Sequence, residues 1–208
     1  MKRYLSYFFF LLFFGACPCY MAQAQSQNVT DSLEQALKND SLTDSARIDI
    51  LNKLCSKYKA SEPKKALTYS EDALSLAEQN KDSLGIATSL NNMGTVHRKQ
   101  SRFEKALNSF QKSLVVHQLL KNKKDQAKCL HNIGATYADQ GKYELAIDNY
   151  IKSLRIKENI ITTLDDIAIK QGIANTLNAI GYVYQAQGKN KESIKYYLKA
   201  LKYNENLL

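Results

Sequence analysis

The side chains with chemistry to offer in this sequence are amides, imidazoles and thiols. Polar residues recur directly after a leucine, in Leu51-Asn52-Lys53, Leu90-Asn91-Asn92, Leu130-His131-Asn132 and Leu177-Asn178. An Asn amide presents both a donor and an acceptor. A ladder of amides can therefore pair with an extended peptide backbone whatever its sequence, or bond between neighbouring helices and bind nothing. His97, His117 and His131 lie on separate stretches without carboxylates at ligand spacing, so no metal site is expected. The sequence has no Gly-rich phosphate loop, H-E-x-x-H, paired C-x-x-C or G-x-S-x-G elbow. No catalytic residue, cofactor or metal is expected.

What must position the amides is a repeated element. Between Ile133 and Leu154, small residues (Gly134, Ala138, Ala146, Ser153) alternate at helical spacing with large ones (Ile133, Tyr137, Tyr143, Tyr150, Leu154) around a turn at Gly141. Two helices that cross closely need small residues where their backbones approach and aromatics in the adjoining gaps. The same pattern occurs three more times, anchored on Cys55, Gly94 and Gly181. Three residues on stand Tyr58, His97, Tyr137 and Tyr184, and the second helices bring Ala66, Ala106, Ala146 and Ser193. The anchors are 39, 40 and 47 residues apart. Gly141 and Gly188 mark turns, replaced by Ser101 and by Glu62-Pro63 in the earlier copies.

From Asp44 to the C-terminus this pattern resembles the tetratricopeptide repeat (TPR) family. The long spacing, against about 34 residues for an ordinary copy, resembles the kinesin-light-chain type. The excess over 34 is expected to lengthen the helices. In the last interval, Ile156, Ile160, Leu164 and Ile167 keep helical spacing, so its 7 further residues are expected to form about two more helical turns. The resemblance implies an all-α, right-handed superhelical solenoid of antiparallel helix pairs. Four repeats are expected at about 44–81, 82–122, 123–164 and 165–208.

The resemblance also implies a concave groove lined by first helices, where extended peptides or helices bind. Its positions fall three residues before the anchor (Asn52, Asn91, His131, Asn178) and two before it (Lys53, Asn92, Asn132, Ala179). Others lie six before (Asp49, Thr88, Lys128, Asn175) and one after (Ser56, Thr95, Ala135, Tyr182). Leu90-Asn91-Asn92-Met93-Gly94 closely resembles the L-N-N-[LM]-[AG] setting in which the family's asparagines hold a peptide backbone. The candidate groove residues are Asn52, Lys53, Asn91, Asn92, Lys128, His131, Asn132 and Asn178. Only Lys53 and Lys128 match the basic positions of a two-carboxylate clamp.

Residues 1–24 read as an export signal. Lys2 and Arg3 precede the apolar run Leu5 to Phe14, and Ala22-Gln23-Ala24 is a cleavage site before Gln25. Two other outcomes are open. One is an uncleaved N-terminal anchor, since Tyr4 to Ala22 is nearly long enough to span a bilayer. The other is lipidation at Cys17, since Phe14-Gly15-Ala16-Cys17 loosely resembles a lipobox. In each case the array is exported, and a periplasmic location is expected. Loss of residues 1–24 lowers the formal charge from +9 to +7 and leaves two cysteines, Cys55 and Cys129. They belong to repeats two apart, beyond the roughly 7 Å Cα limit of a disulfide, and read as small packing residues. The 13 tyrosines read as core filling and the lysines as scattered, so nucleic acid is not an expected partner.

Residues 25–43 form a polar linker in which Asp31 is expected to cap a short helix through Leu33, Ala36 and Leu37. At the other end, Ile194, Tyr197, Leu198, Leu201 and Leu208 form an apolar stripe with no polar helix after it. Solenoids need polar ends, so a partner, a second copy or further chain is expected there. Two functions fit. One is an exported interaction module for a peptide or protein. Its leader, its Asp31-to-Leu37 helix and its long repeats resemble the N-terminal sensing regions of membrane-bound regulators of Bacteroidetes. The other is a structural assembly factor that docks through its apolar ends.

Overall fold

The computed structural model describes residues 29–161 and 166–205. Residues 1–28, 162–165 and 206–208, with the leader, Cys17, Leu164 and Leu208, lie outside the described residues. The described residues form nine helices and no strand. The chain divides after Thr43. Before that point lies helix α1, residues 29–37. Helical structure already includes Val29, so Asp31 lies inside the helix and is not its cap. An acidic residue in a first turn still favours the helix through the peptide dipoles.

From Asp44 on, eight helices form four antiparallel pairs. They are α2 (Asp44–Tyr58) with α3 (Pro63–Gln79), α4 (Ser83–Lys99) with α5 (Phe103–Leu119), α6 (Lys123–Asp139) with α7 (Tyr143–Ile160), and α8 (Ile167–Ala186) with α9 (Asn190–Glu205). The helix lengths account for the period. Helices α3 to α6 have 17 residues each, and three-residue connections complete the 40-residue spacing of Gly94 and Gly134. In the last interval the expectation is met only in part. Helix α7 gains one residue and α8 gains three, to 18 and 20. The rest of the insertion falls in the connection between Ile160 and Ile167, so the helices lengthen by about one turn and not two.

The turns are closed by backbone geometry. Lys142 N–H donates to Tyr137 O at 2.9 Å and Gly141 N–H to Ala138 O at 2.9 Å, the paired bonds of a helix end that passes through one left-handed residue. Gly141 and Gly188 take that position with φ of 71° and 74°. Ser101 takes it in the second pair, and Lys81 and Lys121 take it between pairs, with φ from 54° to 57°. First helices start on side-chain caps. Asp82, Asn122 and Asp166 accept from the N–H groups of Gly85, Asp125 and Ile169. Helix α3 starts instead on Pro63, whose missing N–H costs nothing in a first turn.

Within each pair the crossing is a volume exchange. Gly94 faces the fully buried ring of Phe110, Gly134 faces Tyr150, and Gly181 faces Tyr197. A Cβ at Gly94 would lie 2.7 Å from two carbons of the Phe110 ring. In the first pair Cys55 replaces the glycine, and Ser70 stands where the others have an aromatic and bonds its thiol. Both residues are buried. First helices of successive pairs touch one another, α2 with α4, α4 with α6 and α6 with α8. Second helices of successive pairs do not touch among the described residues. The side on which like helices meet is the shorter one, so the first helices line the concave face. No helix among the described residues is long and apolar enough to cross a membrane.

Candidate functional site

On the concave face the predicted residues separate into two groups. Position three before the anchor turns inward between repeats, and Asn52 and Asn91 keep only 7% and 5% exposure. Position two before the anchor reaches back to it. Asn92 Nδ2 donates to Asn52 Oδ1 at 2.9 Å, and Asn132 Nδ2 donates to Asn91 Oδ1 at 2.9 Å. Asn52 Nδ2 in turn donates to Ser89 Oγ at 3.1 Å. The amides thus bond between adjacent first helices, each paired across about one repeat of sequence. The described bonds leave the carbonyl oxygens of half-buried Asn92 and Asn132 without a donor, and these are the groups a bound backbone N–H could use.

Lys53, Lys128 and Asn178 are exposed on the same face. Asn178 differs from Asn52 and Asn91 because no described helix covers α8 on that side. His131 is held inside the array. Its ring lies 5.1 Å from that of Tyr150, and its Nδ1 is 3.1 Å from Thr176 Oγ1. Burial first, then the Lys157 and Arg98 charges, pull its pKa down to about 4. Its imidazole is therefore neutral at pH 7.

The other buried groups follow the same logic. Ser113 and Ser153 donate to Ala87 O at 2.7 Å and Ala127 O at 2.6 Å, each tying a second helix to the first helix of its own pair. Cys55 and Cys129 are free and buried. Burial pushes the Cys55 thiol up to about 11 and raises that of Cys129. His97 is buried in the tyrosine position, and burial lowers its pKa. No set of three metal-ligating side chains comes together among the described residues.

One functional candidate was absent from the sequence reading. Lys157, near the end of α7, turns inward and donates to Gly172 O at 2.9 Å and Thr176 Oγ1 at 2.7 Å. Burial pulls its pKa down to about 8. It borders a cavity of about 290 Å³ between α6, α7 and α8, whose lining includes Lys128 and Asn175. The available signal was register. Counted from the small residue of each second helix, Lys157 occupies the slot of Ala77 and His117.

The fold and this face define a helical repeat protein of the interaction-module class. Sequence profiles described as tetratricopeptide repeat match residues 56–115, 85–159 and 174–207. The chain belongs to the tetratricopeptide repeat family. A search of curated protein sequences finds no match. Among solved structures, it is similar to a Rap protein complexed with competence and sporulation factor, with a TM-score of 0.77 and 16% identity over 89% of this chain and 51% of that one. It is also similar to a tetratricopeptide repeat sensor-containing signal transduction ATPase (STAND) from Pyrococcus horikoshii, with a TM-score of 0.71 and 17% identity over 89% and 28%. A third structure is a putative kinesin light chain from Podosopora anserina, with a TM-score of 0.65 and 13% identity over 88% and 89%. At these identities the likeness concerns the fold. The chain spans about half the length of the Rap protein and less than a third of the ATPase.

Proposed function

We propose that this chain is a non-catalytic, exported module that captures an extended peptide or protein segment on its concave face, as the sensing part of a signalling protein. The observation that carries this reading is the continuous first-helix face. It presents Lys53, Lys128 and Asn178 to solvent, with the unused amide oxygens of Asn92 and Asn132 between them. The amide ladder supplies rigid, preorganised acceptors, which lowers the ordering cost of binding. Structures similar in fold include one with a bound factor and one with a repeat sensor, which is the support for a signalling role. The leader of residues 1–24 supports export.

The test is capture from a displayed peptide library. Lys53→Glu, Lys128→Glu and Asn178→Ala change exposed groups and are expected to weaken capture with unchanged thermal stability. Unaltered capture by the triple variant would remove the concave face from the binding reaction. Mass spectrometry of the exported chain tests the leader, and an N-terminus other than Gln25 would replace the cleavage reading.

A second reading, a structural assembly factor, is favoured by one feature. Ile194, Leu198 and Leu201 on α9 are 57%, 61% and 51% exposed. One repeat earlier, Ile147, Ile151 and Leu154 hold the same register and pack against the cluster of Ile180 and Val183. In this reading α9 docks on a partner or on a second copy as a homodimer. Sedimentation of the wild type and of Leu198→Asp separates these, since loss of a dimer in the variant identifies self-association through α9.

A further inference from the structure

The residue pair that seals each junction between repeats changes along the array. Ala77 faces Gly85 at the first junction, where a Cβ on Gly85 would stand 3.0 Å from that of Ala77. At the second junction His117 and Asp125 hold the same two positions, and the carboxylate acts on the imidazole electrostatically. At the third, Lys157 faces Gly172, its Nζ 2.9 Å from the carbonyl oxygen. The second junction therefore carries an acid opposite its basic group, and the third carries a stronger base opposite a residue with no side chain. Both acceptors that Lys157 uses, Gly172 O and Thr176 Oγ1, are neutral. One of its three ammonium donors is unused. Among the described residues no carboxylate forms an ion pair with it.

The surroundings add positive charge. Lys124 and Lys128 stand on the wall formed by α6. The one carboxylate lining the cavity, Asp125, accepts from Asn122 Nδ2 at 2.8 Å. His131 is neutral. Apart from Asn175 and Gly172, the remaining lining is apolar, made by Ile160, Ala168 and Ile169. A volume of about 290 Å³ lies just below the usual range for ligand pockets, about 300–1,000 Å³, which suits a ligand the size of one residue.

We propose that the cavity between α6, α7 and α8 is a binding site for a carboxylate with a short apolar tail, in which the ligand supplies the counter-charge that Gly172 leaves missing opposite Lys157. The carboxylate takes the unused Lys157 donor and is flanked by Lys124 and Lys128, while the tail lies on Ile160, Ala168 and Ile169. A phosphate dianion suits the site less well, because the part of the lining formed by Ile160, Ala168 and Ile169 offers its oxygens no donors. Two sources share this chemistry, the C-terminal residue of a peptide and a small free acid. The first rests on the proposed peptide-binding role of the concave face, and the second does not.

The test uses NMR of the lysine Cε–Hε groups in the full chain, with the Lys157 signal assigned by its loss in Lys157→Met. The probes are N-acetylleucine and 4-methylpentanoate, with N-acetylleucinamide and 4-methylpentanamide as uncharged counterparts. Both acids are expected to shift the Lys157 signal at millimolar concentration and to raise the pH at which it titrates. The amides are expected to leave it unmoved, and Lys157→Met is expected to bind the acids about tenfold more weakly, or less. Tighter binding of N-acetylleucine identifies a peptide C-terminus, and tighter binding of 4-methylpentanoate a free acid. Equal effects of acids and amides overturn the proposal, as does inorganic phosphate binding more tightly than either acid. An unmoved Lys157 signal in the wild type also overturns it, whatever the folding of the variant. Library peptides captured alike with free and amidated C-termini would leave the concave face standing without a C-terminal subsite. Acid binding without any peptide capture would leave the cavity standing without the groove.

Discussion

Asn132→Ala separates the architectural use of the amide ladder from its use in binding. In the folded chain Asn132 Nδ2 donates to Asn91 Oδ1 at 2.9 Å. Asn91 is buried, and its oxygen has only one other donor, the Cys129 thiol at 3.9 Å. Truncation to Ala therefore strands a buried carbonyl, at a cost of roughly 1–3 kcal/mol. Alanine offsets part of this through its higher helix propensity, by roughly 0.5 kcal/mol. A net loss of about 1–2 kcal/mol is expected, focused on the α4–α6 interface. The Asn91→Ala/Asn132→Ala double variant removes both partners and is expected to cost less than the sum of the single changes, with a coupling of about 1 kcal/mol. Urea titration reads the global loss, and amide exchange in α4 and α6 reads the interface itself, because repeat arrays open locally. If Asn132→Ala stays within about 0.3 kcal/mol of wild type with exchange unchanged, the ladder is not what joins these repeats. The expected loss also means that weaker peptide capture by Asn92→Ala or Asn132→Ala is evidence of binding only after correction for stability.

Three further outcomes follow from the same geometry. Gly94→Ala drives a Cβ to 2.7 Å from the ring of buried Phe110. Its overpacking cost of about 1–3 kcal/mol exceeds a helix gain of about 1 kcal/mol. Gly181→Ala meets the half-buried Tyr197 ring, which can swing outward, and is expected to stay within about 0.5 kcal/mol of wild type, so equal urea midpoints for the two variants would mean that the aromatic rings do not limit the crossings. Lys157 has its folded pKa lowered from 10.5 to about 8, so the unfolded chain binds more protons between those values and stability rises with pH across that window. The rise is roughly 3 kcal/mol, is absent in Lys157→Met, and is measured by urea midpoints at successive pH values. His131 has its folded pKa lowered from 6.5 to about 4, so the stability it contributes is complete above 6.5 and is lost as pH falls through 4. His131→Gln is expected to flatten that acid branch, and an unchanged branch would mean that the imidazole is already charged in the fold.

The array was legible in the sequence because helix formation and hairpin closure are local. Gly141 and Gly188 mark left-handed turn positions that most side chains avoid, and the small and aromatic residues repeat at helical spacing. The same spacing showed that Cys55 belongs with Gly94, Gly134 and Gly181. Its partner Ser70 takes meaning only once the second helix is placed against it. The insertion before Gly181 was legible in length but not in division. Helical spacing of Ile156, Ile160 and Ile167 is compatible with one long helix or with two helices ending near the same residues.

The sequence by itself determined the class of protein and which helix of each pair carries the polar ladder, because these depend on residue type at fixed separation along one chain. Only the tertiary structure decided which way each amide points. Asn91 and Asn92 are neighbours in sequence, yet one is covered by the next repeat and the other reaches back to the previous one. It also decided that His131 is neutral and that no carboxylate among the described residues pairs with Lys157. Those properties arise from burial and from facing residues 15 to 45 positions away. The stacking angle of successive helix pairs brings such residues together, and it is set by side-chain packing across the whole junction and by no local pattern.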